Sequence, residues 1–169
     1  MSVMRRRLHN DDWGYESNCY VCEARNEGGL RIPFFHEPER DVVEAEFSLD
    51  GTYSGAPTMV HGGVQLAVLD EAMAWATIAI AGQWALTSKS SAEFLAPVMV
   101  DVEHQVEARI EAVDGTRITA TARISNGDGV VCTTAAAVFV AVGEAVASTA
   151  LGTEVRDEHR GFLRDGGQG

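Results

Sequence analysis

An α+β fold, one long buried helix wrapped by an antiparallel sheet, is what this sequence predicts, and three observations predict it. The run from Val64 to Ala81 has only Gln65, Asp70, Glu71 and Thr77 as clearly polar side chains. Its length suits about five helical turns, and its alanine, leucine and methionine content favours helix. Downstream of Gly82 the hydrophobic period changes to two, the mark of strands with one buried face. The chain has 169 residues, 46% of them hydrophobic and 22% charged, which is enough for one core and short for two.

The helix, apolar nearly all round, is expected to be enclosed on every side. A membrane span is excluded because Asp70 and Glu71 sit mid-run, where each costs roughly 2.5 to 3.5 kcal/mol at a bilayer centre. Before the helix, Leu30 to Phe35 and Val42 to Leu49 read as strands, and Asp50 to Val60 reads as a loop carrying two glycines and a proline. After it, Ala85 to Phe94 reads as a strand ended by Pro97. In Asp101 to Glu111, Val102, His104, Val106, Ala108 and Ile110 alternate with polar residues. Asp114-Gly115 supplies a hairpin turn, Arg117 to Ile124 returns, and Asn126 to Gly129 turns into Val130 to Val142, a long apolar strand expected near the centre of the sheet. The chain therefore divides into an N-terminal arm (1–18), one domain (19–143) and a C-terminal extension (144–169) whose polar end is expected to fray. Arg5, Arg6 and Arg7 read as a solvated arm with no secretory signal.

A formal charge of −12 argues against a nucleic-acid partner and offers no long-range attraction to an anionic ligand. Three cysteines, an odd number, fit a reduced, cytoplasmic protein. Cys19 and Cys22 form a CxxC without a second ligand pair, so they read as packing or turn residues; no metal site and no cofactor are expected.

His61-Gly62-Gly63, followed nine positions after the histidine by Asp70, carries the functional argument. An acid in an apolar helix must be paired, protonated or used. Asp70 shares a seven-residue spacing with Gly63 and Thr77, which places the three on one helix face, whereas Glu71 lies about 100° round the helix. Backbone N–H groups at a helix N-terminus are unpaired and carry partial positive charge, and the glycines let a ligand oxygen approach them.

These stretches, with Cys19-Tyr20-Val21-Cys22, Gly28 to Phe34 and Leu86 to Val98, resemble the hotdog-fold acyl-CoA thioesterases of the PaaI-like, phenylacetate-type branch over about residues 19–143. The resemblance implies a hotdog fold and hydrolysis of an acyl-CoA to free acid and coenzyme A, the coenzyme being part of the substrate. It assigns Asp70 as general base or nucleophile and Gly62 as oxyanion donor, with Gly63 as a second donor or packing residue. His61 would hold the loop or the carbonyl, and Thr87 or Ser88 would orient the water or the acid. The position fifteen residues before the acid often holds an amide in that family; here it is Gly55, leaving His61 or Ser54 as stand-in. The family further implies a dimer or tetramer with the site at a subunit interface. Lys89, Arg117 and Arg123 are candidates for coenzyme A phosphates. Met73, Ala74, Trp75, Ile78 and Trp84 are candidates for an acyl pocket, although core packing is the stronger reading of that group. A noncatalytic acyl-CoA-binding protein and an enoyl-CoA hydratase or dehydratase are the alternatives on the same fold.

Overall fold

A computed structural model describes residues 4–13 and 16–164. Seven strands form one antiparallel sheet: β1 (Arg6–Arg7), β2 (Phe35–Glu37), β3 (Val42–Phe47), β6 (Ala85–Phe94), β7 (His104–Asp114), β8 (Arg117–Asn126) and β9 (Val131–Ala141). Their order across the sheet is β1-β2-β3-β7-β8-β9-β6. A small hairpin, β4 (Ser54–Ala56) with β5 (Met59–Val60), lies in the segment expected to be a loop.

The helix α1 (Gly62–Ala79) packs on one face of the sheet. Alternation supplies that face: Val43, Ala45 and Phe47 from β3, Val106 and Ala108 from β7, Ile118 to Ile124 at every second position of β8, and Ala135, Ala137 and Phe139 from β9 are all buried. Many of these are alanines, as are Ala72 and Ala76 on the helix. Small residues on both sides let the helix lie close to the sheet, with Val68, Leu69 and Met73 filling the space between.

The helix begins two residues earlier than the hydrophobic run suggests, because His61 caps it: its Nδ1 accepts from the N–H of Gly63 at 2.9 Å. It is not enclosed all round. Leu66 is exposed, and Gly62, Ala67, Asp70 and Ala74 are half-buried, so one stripe at i, i+4 and i+8 is left uncovered.

Other expectations need correction. Residues 30–33 do not join the sheet: Arg31 has φ +54° and Pro33 has no N–H, so no ladder propagates. The N–H groups of Leu30 and Ile32 instead bond to the carbonyls of Tyr20 and Val21. The strand β9 is paired on both sides but is second from the edge, and β6 is the edge strand, paired on one side only. The N-terminal arginines are not simply solvated: Arg6 and Arg7 pair with β2, and Arg5 makes a 2.8 Å ion pair with Glu44 and lies over the ring of Phe35. The segment after the sheet forms a helix, α2 (Glu144–Leu151), stopped by Gly152 at φ +69°. The expected fraying concerns a terminus whose last five residues, 165–169, lie outside the described residues.

Candidate active site

Asp70 stands in the middle of α1 on its uncovered stripe. Thr87, two residues into β6, donates from Oγ1 to Asp70 Oδ1 at 2.8 Å. The pairing follows from the sheet: β6 lies along α1, and Thr87 is opposite the inward-facing Phe139 of β9, which turns its side chain towards the helix. A bulge at Ser88 then shifts the register, so Thr87 rather than Ser88 reaches the acid. One carboxylate oxygen is held, and among the described residues the other accepts no hydrogen bond. Around them runs an open groove of about 500 Å³ lined by Gly63, Leu66, Ala67, Asp70, Ser90 to Ala92 and Phe94.

At the helix start, geometry separates the two glycines. The N–H of Gly63 is committed to His61 Nδ1. Among the described residues the N–H of Gly62 has no hydrogen-bond partner, and a Cβ added at Gly62 would stand 3.3 Å from the Phe94 ring. Gly62 is therefore the free donor at the helix start, next to the groove residue Phe94, and Gly63 serves the cap. His61 accepts at Nδ1, so in its neutral form the proton sits on Nε2, which can donate.

The glycine at position 55 has a steric reason. A Cβ there would lie 3.1 Å from His61 Cα and 3.2 Å from its ring, so His61 occupies the space that an amide side chain would need. Ser54 donates to the carbonyl of Gly51 at 2.8 Å and is held within its own turn.

Thr77, expected on the face of Asp70 and Gly63, is fully buried and bonds to the carbonyl of Ala74. Two heptads along an α-helix drift by about 40°, enough to carry Thr77 from the open stripe into the core. Glu71 points away from the groove to the Cys19-Cys22 turn, where Cys19 Sγ donates to its Oε1 at 3.3 Å. Burial pushes its carboxyl up to about 8. Both adjacent acids are half-buried, but Asp70 lines the groove whereas Glu71 faces the Cys19-Cys22 turn.

Lys89, Arg117 and Arg123 pair in the ladder with Val138, Val140 and Thr134, the residues of β9 that point away from α1. All three therefore lie across the sheet from Asp70 of the same chain. Arg123 joins Arg40 and Arg109 around Glu107. Ser91 and Glu93 share with Arg109 and Arg123 a larger cavity, about 560 Å³, bordered by this network and lacking any residue from α1. Met73 and Trp75 are core residues, whereas Ala74, Ile78 and Trp84 line an apolar cleft with Leu86, Val146 and Leu151. The contribution of α2 to that cleft is not foreseen in the sequence, where 144–169 reads as an extension outside the domain.

Residues 58–133 match the thioesterase superfamily. No curated protein matches the sequence. Among solved structures, a thioesterase superfamily protein is similar at TM-score 0.69 and 26% identity, over 73% of this chain and 60% of that one. The chain thus spans three-fifths of that protein's length. The Escherichia coli PaaI protein of the phenylacetic acid degradation operon is similar at TM-score 0.60 and 16% identity, over 68% of this chain and 81% of that one. A hypothetical thioesterase from Streptococcus pneumoniae, solved with coenzyme A, is similar at TM-score 0.58 and 18% identity, over 60% and 79%. The architecture of β-sheet and central helix is thus the hotdog fold. Among the described residues no helix is long and apolar enough to cross a membrane.

Proposed function

Since the chain carries a domain of the thioesterase superfamily, we propose that it hydrolyses an acyl-CoA thioester, with Asp70 as general base or nucleophile. The observation that carries this reading is the Asp70 carboxylate fixed by Thr87 at 2.8 Å on the open stripe of a helix whose first N–H, that of Gly62, is unpartnered. In hydrolysis the acid either removes a proton from the attacking water or attacks the carbonyl carbon itself. Negative charge builds on the carbonyl oxygen, where the Gly62 N–H, the positive end of α1 and His61 Nε2–H supply donors. The tetrahedral intermediate then expels the coenzyme A thiolate, giving the free acid directly when water attacks, or a mixed anhydride with Asp70 that a water then hydrolyses to free acid and carboxylate when Asp70 attacks.

Gly62 and Asp70 of one chain do not serve one thioester. Eight residues of helix separate them by about 12 Å, whereas both groups must come within about 3.5 Å of adjacent atoms. A composite site, with the acid from one chain and the oxyanion donor from another, meets the requirement. The unpaired edge of β6 borders the groove and exposes Leu86 and Phe94. Long unpaired edges invite strand pairing, and a two-fold pairing there would bring the groove of one chain to the helix start of the other. The candidate phosphate cations, across the sheet from Asp70 of their own chain, would then meet the coenzyme by way of that interface.

Thiol release from acetyl-, medium-chain, long-chain and aromatic acyl-CoAs by the wild type and Asp70→Asn is the direct test. Release that falls with the mutation supports hydrolysis. Tight acyl-CoA binding without release supports a noncatalytic binding protein instead.

A further inference from the structure

Fifty-two positions separate Cys19 from Glu71, yet the fold brings them together with Cys22 in a cluster whose sulfur and oxygen atoms all lie within 4.8 Å of one another. We propose that Cys19, Cys22 and Glu71 bind a thiophilic divalent cation of the zinc class, tying the N-terminal segment to α1 beside the catalytic groove.

The first argument is the shape of the turn. The N–H groups of Val21 and Cys22 both point at Cys19 Sγ, at 3.4 and 3.5 Å. A CxxC turn wound in this way presents both sulfurs on one side. It is fixed from behind without any ion: Leu30 N–H donates to the Tyr20 carbonyl at 2.7 Å and Ile32 N–H to the Val21 carbonyl at 2.9 Å. Gly29 allows this close approach, since a Cβ there would fall 2.5 Å from the Tyr20 oxygen. The ligand pair is held before binding, which lowers the ordering cost of capture.

The donor set is the second argument. Two thiolates and one carboxylate suit zinc, which prefers four-coordinate sulfur, nitrogen and oxygen ligands at about 2.0 to 2.3 Å. Tetrahedral coordination places such ligand atoms about 3.5 to 3.8 Å apart, close to the observed Cys19 Sγ to Glu71 Oε1 distance of 3.3 Å. Asn10, buried, donates from Nδ2 to Cys22 Sγ at 3.4 Å, as outer hydrogen-bond partners of metal thiolates do.

Charge is the third. Glu71 is half-buried, and among the described residues no arginine, lysine or histidine forms an ion pair with it. Its charged neighbours, Cys19 and Asp70, are themselves acidic. A half-buried set of three acidic ligand groups has no cationic partner among the described residues, and a divalent ion would take the place of their protons.

The inference does not depend on hydrolysis, so its test reads metal and not turnover. Full-length protein kept in a non-chelating reductant is stripped, then titrated with zinc and with cobalt(II), and metal content is measured after desalting. About one equivalent of zinc per chain is expected, and cobalt should give thiolate charge-transfer absorption and intense tetrahedral d–d bands. Zinc should raise the unfolding temperature by about 5 °C or more and protect two of three thiols from alkylation. Cys22→Ser should abolish retention and Glu71→Gln should weaken it about tenfold or more, while Cys132→Ser, remote from the cluster, should bind like the wild type. Folding of each variant is checked by circular dichroism; if Cys22→Ser does not fold, Glu71→Gln and thiol protection decide. Less than about a tenth of an equivalent in fully reduced wild type, or equal retention in Glu71→Gln and Cys22→Ser, overturns the proposal.

Discussion

Thr87 Oγ1 donates to Asp70 Oδ1 at 2.8 Å, joining the edge strand to the central helix at an acid that lines the groove. The hydroxyl fixes one oxygen of a carboxylate that lines the groove. On the proposed role of Asp70 as base or nucleophile, which operates in the transition state, Asp70→Asn is expected to lower kcat by about 10² to 10⁴ and to leave KM within a few-fold. Thr87→Val, which loses only the positioning bond, should lower kcat by about tenfold. Steady-state thiol release measures both, and unchanged kcat in Asp70→Asn would remove Asp70 from the mechanism.

The proposed mechanism gives His61 two separable tasks. Its Nδ1 caps α1, and its Nε2 would donate to the substrate. His61→Ala should cost about 1 kcal/mol of stability together with activity, whereas His61→Asn, a good N-cap, should keep the stability and lose the activity. Chemical unfolding alongside kinetics tests the split; equal loss of stability in both variants would contradict the capping assignment.

A composite site predicts complementation. Asp70→Asn and Gly62→Pro chains should each be inactive alone, the second because proline, tolerated at a first helical position, removes the donor N–H. Co-expressed with different tags and purified as mixed oligomers, they should recover about half the activity of wild type, since one site in each mixed pair is intact. Mixed oligomers as inactive as their parents would show that acid and donor act within one chain.

The Glu107 carboxyl is raised by its burial and lowered by Arg109, Arg40 and Arg123, and the three guanidinium groups prevail, holding it below its ordinary value of 4.5. A carboxyl with a depressed folded pKa stabilises the fold above its unfolded pKa and loses that contribution as pH falls through the folded value. The stability gap between wild type and Glu107→Gln should therefore be constant near neutrality and shrink as pH drops below 4.5. Urea unfolding from neutral to acid pH reads it, and a gap that widens on acidification would refute the assignment.

One turn beyond Asp70, Ala74 opens an apolar cleft of about 240 Å³ with Ile78, Leu86 and Val146. If it receives the acyl chain, Ala74→Phe should lower kcat/KM for long-chain substrates by about tenfold or more and spare acetyl-CoA. Parallel losses across chain lengths would exclude the cleft as the acyl site.

Local periodicity determined much of this molecule. A helix apolar nearly all round, strands with period-two burial and an acid nine residues after His61 are written in consecutive residues, so the fold class and the candidacy of Asp70 were legible from the sequence, but not the stripe of the helix that stays uncovered. The same local rules failed where the chain departs from regular geometry: Arg31 in the left-handed region and Pro33 stop a strand that the hydrophobic pattern of 30–35 suggests, and drift over two heptads takes Thr77 out of the groove. What only the tertiary structure decided is juxtaposition. Gly62 rather than Gly63 keeps a free N–H because the His61 ring turns back on the helix, Gly55 is small because that ring fills its space, and the outer-face cations lie across the sheet from Asp70 because β-strand side chains alternate. The meeting of Glu71 with Cys19 and Cys22 is the clearest case, since no spacing rule links residues 52 apart. Sequence encodes which face each element buries, whereas which residues of distant elements then touch is fixed by how those faces pack together.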